Sequence, residues 1–177
     1  MKKVLLTVLA VLGFVLAANA APQNFGTFNI TVNTPATIAI ALRNAGDVSD
    51  YTAWAAGEVA LGGSTTMATA QAVLVKNTSN VSICLTAFAT TPGGIWSVGS
   101  TAATNVISIG LYQNNALSSL TTIPATTLST SDVTIASHIA VGANKYIGAV
   151  LNLPTFSSTG NTQVISVTIT ALIEPAS

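Results

Sequence analysis

Residues 164–173 read Val-Ile-Ser-Val-Thr-Ile-Thr-Ala-Leu-Ile. From Ser166 to Ala171, hydroxyl side chains alternate strictly with apolar ones. Successive side chains of a β-strand point to opposite faces of a sheet, so this alternation produces one apolar and one polar face. The β-branched residues that dominate the stretch are also those that suit a pleated surface. The stretch therefore predicts an antiparallel strand with one face on a core and the other in water.

Comparable segments recur along the chain between clusters of turn-forming residues. Further strands are predicted at residues 25–32, 37–42, 71–75, 81–88, 106–112 and 146–153, with shorter candidates at 58–61 and 133–136. A Thr-rich run at 118–131 predicts a long surface loop that could also carry an edge strand. About seven to nine strands without helical crossovers predict an all-β fold. We expect an antiparallel β-sandwich of immunoglobulin-like or jelly-roll-like type.

The N-terminus has the three-part pattern of a secretory signal peptide. Two lysines precede an apolar run at residues 4–17, and Ala-Asn-Ala follows at 18–20. As a helix the run would span about 21 Å, whereas the hydrocarbon core of a bilayer is about 30 Å thick. Residues 1–20 are therefore predicted to be cleaved, leaving 21–177 as one extracellular or cell-surface domain. No second long apolar segment occurs, so no membrane span is expected after cleavage.

Charge is scarce throughout the sequence. Charged residues make up 6% of the chain, against about 25% in a typical soluble domain. Without the signal peptide, three basic and five acidic residues remain, a net charge of −2. The absence of a basic patch argues against a nucleic-acid partner. A weakly charged surface rich in Ser and Thr favours close contact between copies, because charge is what normally keeps soluble proteins apart.

The residues needed for catalysis or metal binding are few. His138 is the only histidine and Cys84 the only cysteine. Ser137 adjoins His138, but neighbours on a strand point to opposite faces, which disfavours a Ser-His pair. Zinc sites need several Cys or His ligands, and a lone buried cysteine usually behaves as a small hydrophobe. We therefore predict no enzyme, no cofactor, no metal and no catalytic role for His138 or Cys84.

Two similar stretches, residues 42–48 and 75–81, read apolar, basic, Asn, any, small, Asx, Val. Asn, Asp and Gly favour tight turns, so both stretches are predicted to turn between strands. Oxygens of Asn44, Asp47 and Asp50 could instead bind calcium, although their spacing does not match an EF-hand loop. The turn role is the simpler interpretation.

The sequence contains a candidate sugar-binding site and candidate glycosylation sites. Tyr51, Trp54 and Trp96 could form an aromatic platform for a sugar, although large aromatic side chains more often anchor a core. Three sequons for N-glycosylation are present, at Asn29, Asn77 and Asn80. They would matter only in an organism that glycosylates its exported proteins.

The Asn-x-Gly-Asx-Val turn at residues 44–48 resembles turns of many bacterial and archaeal immunoglobulin-like surface domains. Residues 153–171, from Leu-Pro-Thr to the final alternating strand, resemble the end of secreted prokaryotic β proteins. The layout of a cleaved signal followed by a Thr/Ala-rich sandwich is similar to extracellular fibre subunits of the donor-strand type. The resemblance implies a structural role outside the cell.

We accordingly expect an extracellular structural protein, the subunit of a pilus-like filament or surface coat that assembles with itself by strand addition. An open sheet edge accepts a strand readily because its backbone groups are unpaired. The expected donor is residues 21–32, whose Phe25, Phe28, Ile30 and Val32 would fill a groove on a neighbour. The rival interpretation is that residues 25–32 pair within their own domain. The alternative function is a secreted module that binds carbohydrate or another surface.

Overall fold

The computed structural model describes residues 35–91, 94–158 and 162–174. Within these residues the chain forms ten strands, and its only helical elements are the short 3-10 turns Thr69–Gln71 and Leu117–Ser119. The strands are β1 (Ile40–Asn44), β2 (Ser64–Thr66), β3 (Val73–Asn77), β4 (Ile83–Thr90), β5 (Ser97–Val98), β6 (Val106–Asn114), β7 (Thr126–Thr127), β8 (Val133–Ile139), β9 (Asn144–Asn152) and β10 (Ser166–Ile173). The predicted all-β class is confirmed for the described part of the chain.

The strands form two sheets. In the larger sheet the order is β1-β3-β9-β6-β5, with β2 added beside β9 and β7 beside β6. The smaller sheet has the order β10-β4-β8. The pairings are antiparallel except for the two-residue contact of β5 with β6, which is parallel. We call these the large sheet and the small sheet.

One hydrophobic core lies between the two sheets. Ile83 and Leu85 of β4 and Ile107 of β6 are 0% exposed and belong to the same cluster, as does Val75 of β3. Alternate residues of β3, β4, β6 and β9 supply much of this cluster, as expected when one face of each sheet is buried. The architecture is that of a β-sandwich, as the alternating sequence segments predict.

Most predicted strands coincide with observed ones to within a few residues, namely β1, β3, β4, β6, β8, β9 and β10. The prediction for residues 58–61 is wrong, because these residues form no strand. The chain turns there: the N–H of Gly63 donates to the carbonyl of Ala60 at 2.9 Å, and Gly62 has a φ of 71°. The 118–131 loop does carry a short strand, β7. The predicted strand at residues 25–32 lies outside the described residues.

Candidate functional site

The outer edge of β10 is the longest regular sheet edge in the described part of the chain. β10 is eight residues long and pairs with β4 in unbroken register, from Ser166↔Thr90 to Ile173↔Ile83. It lies at one end of the small sheet. No described strand pairs with its other side.

The backbone geometry identifies which groups of β10 point outward. The N–H of Glu174 donates to the carbonyl of Ser82 at 3.2 Å, in continuation of the β10–β4 ladder. Residues of an antiparallel strand alternate between bonding to one side and to the other. The outward N–H and C=O groups are therefore those of Val167, Ile169, Ala171 and Ile173.

Apolar side chains flank this edge. Ile169 and Ala171 pack against the core, whereas Val167 and Ile173, on the same face, are 41% and 52% exposed. Leu172, on the opposite face, is 46% exposed. β10 itself contains no charged residue. The core therefore covers only the middle of the apolar face predicted from the alternation, because β10 lies at the edge of the sandwich.

The other edge of the small sheet, β8, is irregular. Its register with β4 shifts twice, between Ile83 and Leu85 and again between Leu85 and Thr86. At the first shift His138 has a φ of 55°, the left-handed conformation that L residues adopt at a cost. Extra residues in one strand form a β-bulge, which bends and twists the edge.

Glu174, just after β10, stabilises this bulge from across the small sheet. Its Oε2 accepts the backbone N–H of His138 at 2.9 Å, and its Oε1 lies 3.4 Å from Nδ1 of the imidazole. The carboxylate side chain is 15% exposed, whereas the His138 side chain is 75% exposed. The carboxylate therefore satisfies a backbone donor that the bulge removes from the ladder.

The β1 edge of the large sheet is closed by its own chain. The N–H of Tyr51 donates to the carbonyl of Leu42 at 3.0 Å, and the N–H of Asn44 donates to the carbonyl of Ser49 at 2.9 Å. These bonds occupy outward groups of β1 that an incoming strand would need. β5 and β7, on the opposite side of that sheet, are only two residues long.

The turn after β1 carries a small charge cluster. Oδ1 of Asp47 lies 3.1 Å from Nε of Arg43, and Oδ2 lies 2.6 Å from Nζ of Lys76. Arg43 also binds Asp50 at 2.6 Å. The hydrogen bond from Lys76, followed by that from Arg43, lowers the pKa of Asp47. The hydrogen bonds to Asp50 and Asp47 raise the pKa of Arg43.

The turn role predicted for this stretch is confirmed. Asp47 has a φ of 56°, and the side-chain oxygen of Asn44 accepts the N–H of Val48 at 2.9 Å. The carboxylates considered as calcium ligands are bound to Arg43 and Lys76 instead. In the described residues no three His, Cys, Asp or Glu side chains come together as a metal site.

The two residues considered for catalysis lie in the small sheet. Cys84 is half-buried on β4, where it pairs with Leu172 of β10. His138 lines a shallow groove of ≈ 420 Å³ together with Asn115, Asn144 and Lys145. The groove also contains Ser137 and Lys145, and the Glu174 carboxylate lies 3.4 Å from Nδ1 of the imidazole.

The aromatic residues considered as a sugar platform pack against the core instead. Tyr51, Trp54 and Trp96 are each partly buried on the main hydrophobic cluster. Nε1 of Trp96 donates to Oγ of Ser157 at 2.8 Å. Burial raises the pKa of Tyr51. Their positions agree with the core interpretation of the sequence.

The sequon residue Asn77 has a structural role that the sequence analysis missed. It is 2% exposed, and its Nδ2 donates to the carbonyls of Val81, Ile139 and Ala140 at 3.0–3.1 Å. Its Oδ1 accepts the N–H of Ser79 at 2.9 Å. The side chain thus connects the β3–β4 loop to the end of β8. The only sequence signal was an Asn at a predicted turn, which does not reveal so distant a partner.

Asn80 is exposed and holds the start of the described chain. Its Oδ1 accepts the N–H of Thr37 at 2.7 Å, and its Nδ2 donates to the carbonyl of Pro35 at 3.1 Å. The third sequon residue, Asn29, lies outside the described residues, as do the four predicted assembly residues, Phe25, Phe28, Ile30 and Val32.

Comparisons with protein-family models, curated proteins and solved structures give no match for this chain. Among the described residues, no helix is both long and apolar enough to cross a bilayer.

Proposed function

We propose that the protein is an extracellular structural subunit that assembles with itself, by strand addition, into a filament or surface coat. The observation that carries the proposal is the outer edge of β10, an uncharged edge of eight residues in regular register. A segment that added here would satisfy a row of outward backbone groups. Such pairing is a common way for proteins to bind an extended chain.

The composition supports this use of the edge. Natural monomers usually blunt exposed edges with charge, especially lysine, or with bulges and coverings. β8 has bulges and β1 is covered, whereas β10 follows β4 in regular register and no described segment covers its outer side. Only 6% of the sequence is charged, so little electrostatic repulsion would oppose contact between copies. The proposal includes export, with residues 1–20 as a cleaved signal peptide. The exported part is proposed to be an immunoglobulin-like or jelly-roll-like domain.

To test the proposal, the exported protein is purified and its intact mass is measured. Samples at increasing concentration are then imaged by negative-stain electron microscopy. We expect the mass of a chain that begins at Ala21. We also expect filaments or sheets that become more abundant as the protein concentration rises. A protein that remains monomeric at every concentration, by light scattering as well as microscopy, contradicts the proposal. A monomer that binds polysaccharide would instead support the carbohydrate-binding alternative.

A further inference from the structure

We infer that β10 is the acceptor edge, and that its partner is residues 25–32 of a second copy, added antiparallel. This inference rests on the proposed function and specifies its contact. It follows from a comparison of the sheet edges, from the position where the described chain begins, and from the match between the two segments.

The first step is the choice of edge. Among the described strands, β10 alone combines an eight-residue length with regular register and an uncovered outer side. β8 has two register shifts, and the outward groups of β1 already bond to residues 49 and 51. An added strand needs several consecutive outward N–H and C=O groups at a regular spacing, which β10 provides.

The second step is the match between the segments. Residues 25–32 read Phe-Gly-Thr-Phe-Asn-Ile-Thr-Val, eight residues without charge and equal in length to β10. Phe28, Ile30 and Val32 share one face of an extended strand. Beside β10, that face would cover Val167 and Ile173, which the sandwich leaves half exposed.

The third step is connectivity. The carbonyl of Pro35 accepts a hydrogen bond from Asn80. Two residues after Asn80, the carbonyl of Ser82 accepts the N–H of Glu174, which directly follows β10. The described chain therefore begins near the C-terminal end of β10. A strand formed by the preceding residues of the same chain would run parallel to β10.

An antiparallel partner formed by residues 25–32 of the same chain is not geometrically accessible. Its last residue would lie beside Ser166, about 23 Å along β10 at roughly 3.3 Å per residue. Residues 33 and 34 would have to cover that distance, although each residue spans at most about 3.6 Å. The long pairings of both sheets are all antiparallel. If residues 25–32 add to β10 as an antiparallel strand, they therefore come from another copy.

Two variants of the mature chain test the acceptor edge. Ala171→Pro removes an outward N–H while leaving the ladder to β4 intact, a position where proline is tolerated in an edge strand. Thr168→Lys puts a charge on the exposed face of β10. Its matched control is Thr134→Lys, since Thr134 is also exposed and lies on β8, the other edge of the same sheet. Circular dichroism establishes that each variant is folded.

We expect Ala171→Pro to abolish polymers and Thr168→Lys to slow their growth at least tenfold by light scattering. Thr134→Lys should assemble within about twofold of the parent protein, although it adds the same charge. Equal slowing by the two lysines would show that charge alone matters and would overturn the edge assignment. Normal polymers of folded Ala171→Pro would also overturn it.

A mixing experiment tests the donor and the direction of donation. A chain lacking residues 21–32 keeps the acceptor edge but has no donor, whereas Ala171→Pro keeps the donor but has no acceptor. We expect each variant alone to be monomeric and their mixture to form a one-to-one heterodimer by native mass spectrometry. If the parent polymerises but the mixture stays monomeric, the inference is wrong while the structural role stands. If the parent itself never polymerises, the proposed function fails as well.

Discussion

The two edges of the small sheet flank the same central strand and differ in almost every respect. β10 follows β4 without a break over its whole length, whereas β8 follows β4 with two register shifts. The backbone of β8 is further distorted at His138, whose freed N–H is bound by Glu174. Bulges, a left-handed residue and a side-chain hydrogen bond thus make the β8 edge irregular, while the β10 edge stays regular.

This difference shows that edge protection is local and is not a property of the sheet. The bulge of β8 and the covering of β1 are devices that natural proteins use against unwanted pairing. Within the residues that the structure describes, the remaining long edge, β10, has neither device. The proposed assembly by strand addition requires such a difference, because strands would then add at one edge only.

The largest loss of stability is expected from a substitution in β4, the strand that pairs with both β10 and β8. Leu85 lies in β4, the central strand of the small sheet, and is 0% exposed. Leu85→Ala should lower the free energy of unfolding by about 3–5 kcal/mol, because it leaves a cavity in the core. Urea denaturation followed by tryptophan fluorescence would measure it. A loss below about 1 kcal/mol would show that the two sheets do not share a rigid core at this residue.

Asn77 offers a way to loosen β8 while leaving β10 intact. Asn77→Ala strips the carbonyls of Ile139 and Ala140 of a buried donor. We expect a loss of about 2–4 kcal/mol in the free energy of unfolding, since each unsatisfied buried group costs about 1–3 kcal/mol. Hydrogen exchange should accelerate at the end of β8 before it does in β10. Faster exchange in β10 first would contradict the separation of the two edges.

The His138 bulge can be tested with two substitutions of opposite effect. His138→Gly should leave stability unchanged or raise it slightly, because glycine adopts a φ of 55° without strain. His138→Val should cost about 1–2 kcal/mol, because left-handed backbone is unfavourable for residues with a Cβ and most of all for β-branched ones. Thermal unfolding of both variants provides the comparison. Equal stability of the two would mean that the backbone at residue 138 is not held at positive φ.

The smallest effect concerns the turn after β1. The pKa of Asp47 is lowered from its ordinary value of 3.8 by Lys76 and Arg43. Its stabilisation is therefore present above pH 3.8 and is lost as the pH falls through the lower pKa of the folded state. The turn is exposed, so the change should be small. Asp47→Asn should remove this part of the acid dependence in unfolding titrations.

Local patterns in the sequence predict much of this protein. The alternation from Ser166 to Ala171 identifies β10, and similar patterns identify the other long strands, because the two-residue period of a strand is a local property. Asn44 and Asp47 identify their turn for the same reason, since these residues favour left-handed backbone by themselves. The low charge also follows directly from composition.

What only the tertiary structure decided is which strands become neighbours. The short strands β2, β5 and β7 form because β9 and β6 offer them an edge, and their own residues carry little signal. The contact of His138 with Glu174 and the bonds of Asn77 to Ile139 and Ala140 join residues 36 or more positions apart, whereas the bonds of Asn77 to Ser79 and Val81 are local. Sheet order arises from such long-range pairing. The alternating sequence therefore determines that β10 is a strand, whereas the fold places it at the end of the small sheet, where no other described strand pairs with its outer side.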